Sequence, residues 1–243
     1  MFIDKRMIYA IMAIMVVYGF AGYLQNPESL LSLLLTVPGL LIAITFHEFA
    51  HAFAADKLGD DTPRIQGRLT LNPLAHLDPI GCVMLLFAGF GWGKPVEVNP
   101  IRYDRRFSME KADSIVSIAG PLMNFFLAIV LTVIYCALYK FTNFASDSQL
   151  GVIIMLMINL AISINVGLGL FNLIPLPPLD GSKVIKPFLP ENAKTWIENN
   201  EKIFEWIFIA LWVIGILGTI ISPIIRATTT GIMTLGFKIF RLY

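Results

Sequence analysis

Five apolar runs, near residues 7 to 24, 30 to 55, 114 to 139, 150 to 174 and 203 to 222, constrain this chain more than any other feature of it. Each is close to the length of about 20 residues that a helix needs to cross a hydrocarbon core. A bilayer holds no water to satisfy bare backbone groups, so runs of this length have to be helices. Composition agrees, with 56% of the 243 residues hydrophobic and 14% charged, far from the balance of a soluble domain. The expected fold class is an α-helical polytopic membrane protein of about five to six transmembrane helices in a lipid bilayer.

The first run follows Lys5 and Arg6 and extends from Met7 to Leu24. Its length and its weak small-residue pair, Gly19 and Ala21, favour a retained signal-anchor helix over a cleaved signal peptide. A shorter run, Ile80 to Trp92, is interrupted by Gly81, Gly89 and Gly91 and reads as re-entrant or interfacial. The tail 223 to 243 mixes Arg226, Lys238 and Arg241 with apolar residues, which suits an interfacial amphipathic segment. Alternation over 64 to 71 and 95 to 98 predicts short strands, hence a small membrane-edge β element able to receive an extended peptide. With no repeat or linker in sight, the whole of 1–243 is expected to form a single domain with no appended soluble one.

Charge orients the helices. Eight of the 18 basic residues lie between Asp56 and Asp113, and Lys183, Lys186, Lys194 and Lys202 follow the fourth run. Two more precede the first run, whereas the loop from Gln25 to Leu30 has none. The positive-inside rule therefore puts the N-terminus and both basic connections in the cytoplasm, in a multi-pass protein of the cytoplasmic membrane. A net charge of +1 gives no ground for nucleic-acid binding. Cys82 and Cys136 lack the spacing of a thiolate site and read as packing residues.

Inside the second run stands His47-Glu48-Phe49-Ala50-His51. Histidines four apart share a helix face, about 6 Å apart along the axis, so both imidazoles reach one ion. The glutamate between them is placed to act as a general base beside a metal. Imidazoles and a carboxylate within an apolar span are costly without partners, which favours a zinc site, one ion per chain, over packing residues. A hydrolytic zinc needs a third protein ligand. Asp180, after the proline-rich Pro175-Leu176-Pro177-Pro178 and before Gly181, is the candidate, at the same expected face as His47 and His51; a loop-capping aspartate is the other reading. His76, in Asn72-Pro73-Leu74-Ala75-His76-Leu77-Asp78-Pro79, reads as a capped turn, as an alternative third ligand or as a substrate contact. Asn124 and Asn165 each read as a donor to a substrate carbonyl or as an interhelical hydrogen bond.

Three blocks, Phe46-His47-Glu48-Phe49-Ala50-His51, Ala119-Gly120-Pro121-Leu122-Met123-Asn124 and Asn172 through Gly181, give the chain a resemblance to the site-2 proteases in their compact bacterial form. These are intramembrane zinc metalloproteases. The resemblance implies that His47, His51 and Asp180 bind zinc, that Glu48 is the catalytic base, and that Asn172 contacts the substrate or its oxyanion. It also implies an endopeptidase that cuts membrane proteins through their transmembrane helix, near the cytoplasmic side, in regulated intramembrane proteolysis. Oligomeric state stays open. The alternative from another class is a metal or proton transporter using intramembrane His, Glu and Asp, which predicts repeated halves that this sequence does not display.

Overall fold

The computed structural model describes residues 5–88, 93–143 and 148–242. They are mostly helical. α1 (Lys5–Gln25) leads into α2 (Pro27–Lys57), α3 (Thr62–Ile65) and α4 (Pro79–Ala88), followed by the long α5 (Met109–Phe141) and α6 (Gln149–Asn172). The chain ends through α7 (Asp180–Ile185), α8 (Glu191–Asn199), α9 (Glu201–Val213) and α10 (Ile216–Phe240). Four helices among the described residues are long and apolar enough to cross a membrane: Glu28–Lys57 of α2, then α5, α6 and α10. The described apolar part of α1, Met12–Gln25, is shorter.

Local chemistry sets these boundaries. α2 begins with proline in its first turn and Glu28 beside it, and finishes on Lys57, so both ends suit the helix dipole. Ser108 caps α5 by accepting from the Lys111 amide, and Ser148 caps α6 by accepting from Gly151. Within the bundle the packing follows membrane rules. The inward stripe of α5 is Gly120, Asn124, Ala128, Thr132 and Cys136, all buried. Its outer face presents Leu122, Phe126, Ile129 and Val133. Small and polar residues allow close approach between helices, while lipid solvates the large apolar side chains.

Three expectations are corrected. No strand forms over 64 to 71 or 95 to 98 among the described residues; Leu77 and Gly93 make one isolated antiparallel bridge. Pro63 sits in the first turn of α3 and starts a helical turn instead. Arg68 then donates to the carbonyls of Ala75, Lys94 and Pro95, occupying acceptors that a neighbouring strand would have used. The expected span over 203 to 222 is divided after α9, where Gly215 adopts φ +79° and restarts the chain as α10. The expected interfacial tail 223 to 243 is consequently mostly the body of α10, which runs straight through Pro223. The stretch 80 to 92 is seen as far as α4, whose Phe87 ring meets Phe20 and Tyr23 of α1 edge-on at 5.9 and 6.1 Å. Gly89 to Trp92 lie outside the described residues.

Relative directions follow from contacts. Leu217, at the start of α10, clusters with Leu179, Phe208 and Phe171 at the end of α6. At the other end of α10, the Phe240 carbonyl accepts from Lys140 of α5 at 2.6 Å. α10 is therefore antiparallel to α6. Lys194 of α8 reaches Glu110 at the start of α5 at 2.6 Å, which brings the two lysine- and arginine-rich connections to one end of the bundle.

Candidate metal centre

The site is assembled from α2, α5 and the turn that follows α6. On α2, His47 and His51 point the same way, and their Nε2 atoms are 3.0 Å apart. The Asp180 Oδ2 atom lies 3.2 Å from Nε2 of His47 and 3.3 Å from Nε2 of His51. Asp180 arrives there because the chain folds back after α6. A Cβ on Gly181 would lie 2.4 Å from the carbonyls of Leu173 and Ile174, so only glycine permits that turn. Ser114 of α5 holds α7 in place by donating to the Val184 carbonyl at 3.1 Å.

The hydrogen-bond network decides how the imidazoles present their lone pairs. Asn124 gives its amide hydrogens to the Ala43 carbonyl and to Asn165 Oδ1. Its Oδ1 is left facing His47 Nδ1 at 2.6 Å. His51 Nδ1 meets the Val116 carbonyl at 2.7 Å. Both Nδ1 atoms face pure acceptors and must carry hydrogen, so the two Nε2 lone pairs converge on Asp180. These three donor atoms could share a cation. A proton bridges two of them, whereas the three nearly equal separations suit one metal ion: tetrahedral zinc with bonds of about 2.0–2.1 Å places its ligand atoms about 3.3 Å apart. Asp180 Oδ2 is buried and has no hydrogen-bond donor of its own, as a ligand atom should be.

Space for the ion comes from α5. A Cβ on Gly120 would lie 2.4 Å from His51 Nε2 and 2.7 Å from His47 Cε1. Glu48, half-buried on the adjacent face of α2, accepts from the Val96 amide at 3.0 Å.

Of the residues singled out in the sequence, His47, His51 and Asp180 form one group able to hold a metal. His76 is fully buried elsewhere, with Nε2 on the Thr70 carbonyl at 2.7 Å. Asn124 and Asn165 lie behind His47, and Asn165 gives its amide to Ala161. Asn172 caps the last turn of α6 by donating to Leu168. Sequence reading missed three contributors. Gly120 was visible only as part of a family block, and no side-chain pattern marks the Val116 carbonyl or the Val96 amide.

Comparison with known proteins identifies the family. The profile of "Peptidase family M50" matches residues 139–215. The Bacillus subtilis protein named "Putative zinc metalloprotease YwhC" is 37% identical over 223 residues, which is 90% of this chain and 97% of that protein. The chain belongs to peptidase family M50. Two other relatives, each named "Putative zinc metalloprotease Rip2", come from Mycolicibacterium smegmatis and Mycobacterium tuberculosis. They are 31% and 30% identical over 173 residues, and those matches cover 63% and 60% of the relatives' length. No solved structure matches the chain. As an M50 member the chain is a peptidase of a membrane, with apolar helices to hold it there.

Proposed function

We propose that this chain is an intramembrane zinc endopeptidase that hydrolyses peptide bonds in the transmembrane helices of membrane-protein substrates. The observation that carries the reading is the convergence of two Nε2 lone pairs and one carboxylate oxygen, all within 3.3 Å of one another, between candidate membrane helices. The names of the YwhC and Rip2 relatives support zinc as the ion. His47, His51 and Asp180 would hold one zinc per chain, leaving a fourth position for the reacting groups.

Bound zinc supplies Lewis acidity, which makes water acidic enough to attack at neutral pH and polarises the scissile carbonyl. Glu48 takes the proton released by the attacking water and delivers it to the leaving amine. The Val96 amide holds Glu48 Oε2 and leaves Oε1 for the proton. Asn124 and Val116 keep the imidazoles aimed at the ion through the bonds described above. Asn124 gives both amide hydrogens to protein acceptors, and Asn172, which the family resemblance assigns to the substrate, has a second amide hydrogen beyond the one it gives to Leu168. A substrate helix hides its carbonyls in its own hydrogen bonds and has to unwind before attack.

The site lies toward the end of the bundle that carries both basic connections, which the positive-inside rule supports as the cytoplasmic side of the cell membrane. Cleavage there would release a cytoplasmic fragment. A transporter reading needs paired broken helices in two repeated halves, and membership of a peptidase family weighs against it.

Glu48→Gln tests the chemistry. The purified variant is expected to keep its zinc, because Glu48 is not among the three ligands, while cleavage of a single-span substrate in proteoliposomes drops at least about 100-fold. Zinc retention together with a parent-like rate would overturn the assignment of the base.

A further inference from the structure

On the side of α6 away from the metal centre, α6 and α10 leave a polar cavity of about 300 Å³ lined by Asn159, Ser163, Ser222, Arg226, Thr229 and Thr230, with Ile225 beside them. Ser222, Arg226 and Thr230 recur every four residues and form one stripe of α10, and Asn159 and Ser163 form the matching stripe of α6. A second cavity of about 470 Å³ continues it along Pro223 and Ala227. Ser222, Arg226, Thr230 and Asn159 are exposed, so the groove opens outward from the bundle.

Its position is what makes it unusual. At 1.5 Å per residue, Arg226 lies about 15 Å from the start of α10, about 3 Å short of the helix midpoint. An arginine side chain is about 7 Å long and cannot bring its guanidinium up to a headgroup from there. Among the described residues Arg64, Arg102 and Arg106 hold carboxylates, and Arg68 holds backbone carbonyls. Arg226 has no such partner among them. Beside it, Thr229 Oγ1 is buried without a hydrogen bond, although Thr132, Thr142 and Thr219 all turn back onto their own helices. An arginine facing hydrocarbon at this depth is costly. A second helix that covers the groove and brings an acceptor offsets that cost.

Among the described residues this chain does not offer that acceptor. The carboxylates on its candidate spans lie in the first turns of α2 and α5, in Glu48 on the Val96 amide, in Asp56 on Arg64 and in Asp113 near the start of α5. None stands unpaired at the depth of Arg226, and two copies joined through this groove would set arginine against arginine. We propose that the α6–α10 groove docks a transmembrane helix of a different membrane protein, through a carboxylate near the middle of that helix. Arg226 forms the ion pair, and Ser222, Thr229, Thr230 and Asn159 supply hydrogen bonds around it. Because α6 separates the groove from His47 and Asp180, a helix docked here is held beside the metal centre without occupying it.

The experiment uses the full chain in phosphatidylcholine vesicles and, as probe, a synthetic 24-residue leucine-alanine helix with one central aspartate. Energy transfer between labelled chain and labelled helix reads association, independently of any peptidase activity. The aspartate helix is expected to bind at least about tenfold more tightly than its all-apolar counterpart, the scale of one interhelical polar contact. Arg226→Leu should remove that difference and Arg226→Lys should keep most of it. Arg226→Glu should shift the preference to a helix with a central lysine. Circular dichroism establishes that each variant retains its helices. Equal binding of the aspartate and apolar helices by the parent chain overturns the proposal. So does transfer between copies of the chain that depends on Arg226, which would make the occupant a second copy. Competition by anionic phosphatidylglycerol for the aspartate helix would make it a lipid and overturn the proposal too.

Discussion

Gly120→Ala should empty the metal centre, although the substitution favours the helix. Alanine in a helix interior is better than glycine by about 0.8–1.0 kcal/mol, so propensity alone predicts a more stable α5. The added Cβ, however, would lie 2.4 Å from His51 Nε2, 2.6 Å from His51 Cε1 and 2.7 Å from His47 Cε1. Ordinary contact between such atoms is about 3.5–4.0 Å, so the imidazoles or the α5 backbone must shift by about 1 Å. Backing α5 away is resisted by α6, because the Pro121 carbonyl is already within 3.2 Å of the Cβ position of Gly169. The imidazoles therefore have to move, and a metal site tolerates ligand displacements of about 0.2 Å. Misplacement by 1 Å at a reacting centre costs on the order of 100-fold in rate. Metal content by mass spectrometry should fall well below one per chain, and cleavage should drop at least about 100-fold. Gly231→Ala, where a Cβ meets nothing within 4 Å, is the control and should be silent. A Gly120→Ala protein with a full zinc and parent-like turnover would refute the argument that this glycine shapes the site.

Asn124→Ala removes the acceptor that fixes His47 at 2.6 Å and should weaken metal affinity about 10- to 100-fold, measured by competition with a chelator. Gly181→Ala forces a Cβ to 2.4 Å from two backbone carbonyls, so it should displace Asp180 and lower metal content, whereas Asn172→Ala should leave metal content unchanged and act on turnover. Lys194 is raised above its ordinary value by hydrogen bonds to Glu110 and Glu191. A lysine raised on folding stabilises fully below its unfolded value of about 10.4 and loses that contribution as pH climbs through the folded value. The gap in melting temperature between the parent and Lys194→Met in detergent should therefore be constant near neutrality and close at strongly alkaline pH.

Length and apolarity of the runs by themselves determined that this chain is a helical membrane protein, because hydrocarbon offers backbone groups no partner outside a helix. His47, Glu48 and His51 were equally legible, since an i, i+4 pair meets on one helix face wherever that helix lies. Tertiary structure decided what depends on distance between separated segments. It brought Asp180, and not His76, to the imidazoles, through the turn at Gly181. It gave Asn124 to His47, and it made Gly120 a necessity through contacts 70 residues away in sequence. The strands read at 64 to 71 and 95 to 98 failed for the same kind of reason: alternation reports a local preference, and the Arg68 guanidinium took the carbonyls that pairing required. The end of the chain was misjudged because Arg226 and Pro223 look like breaks in a span, while Gly215 supplies the real one. Packing against α5 and α6 then holds α10 as one helix with its charge turned into a groove, a placement that no local pattern encodes.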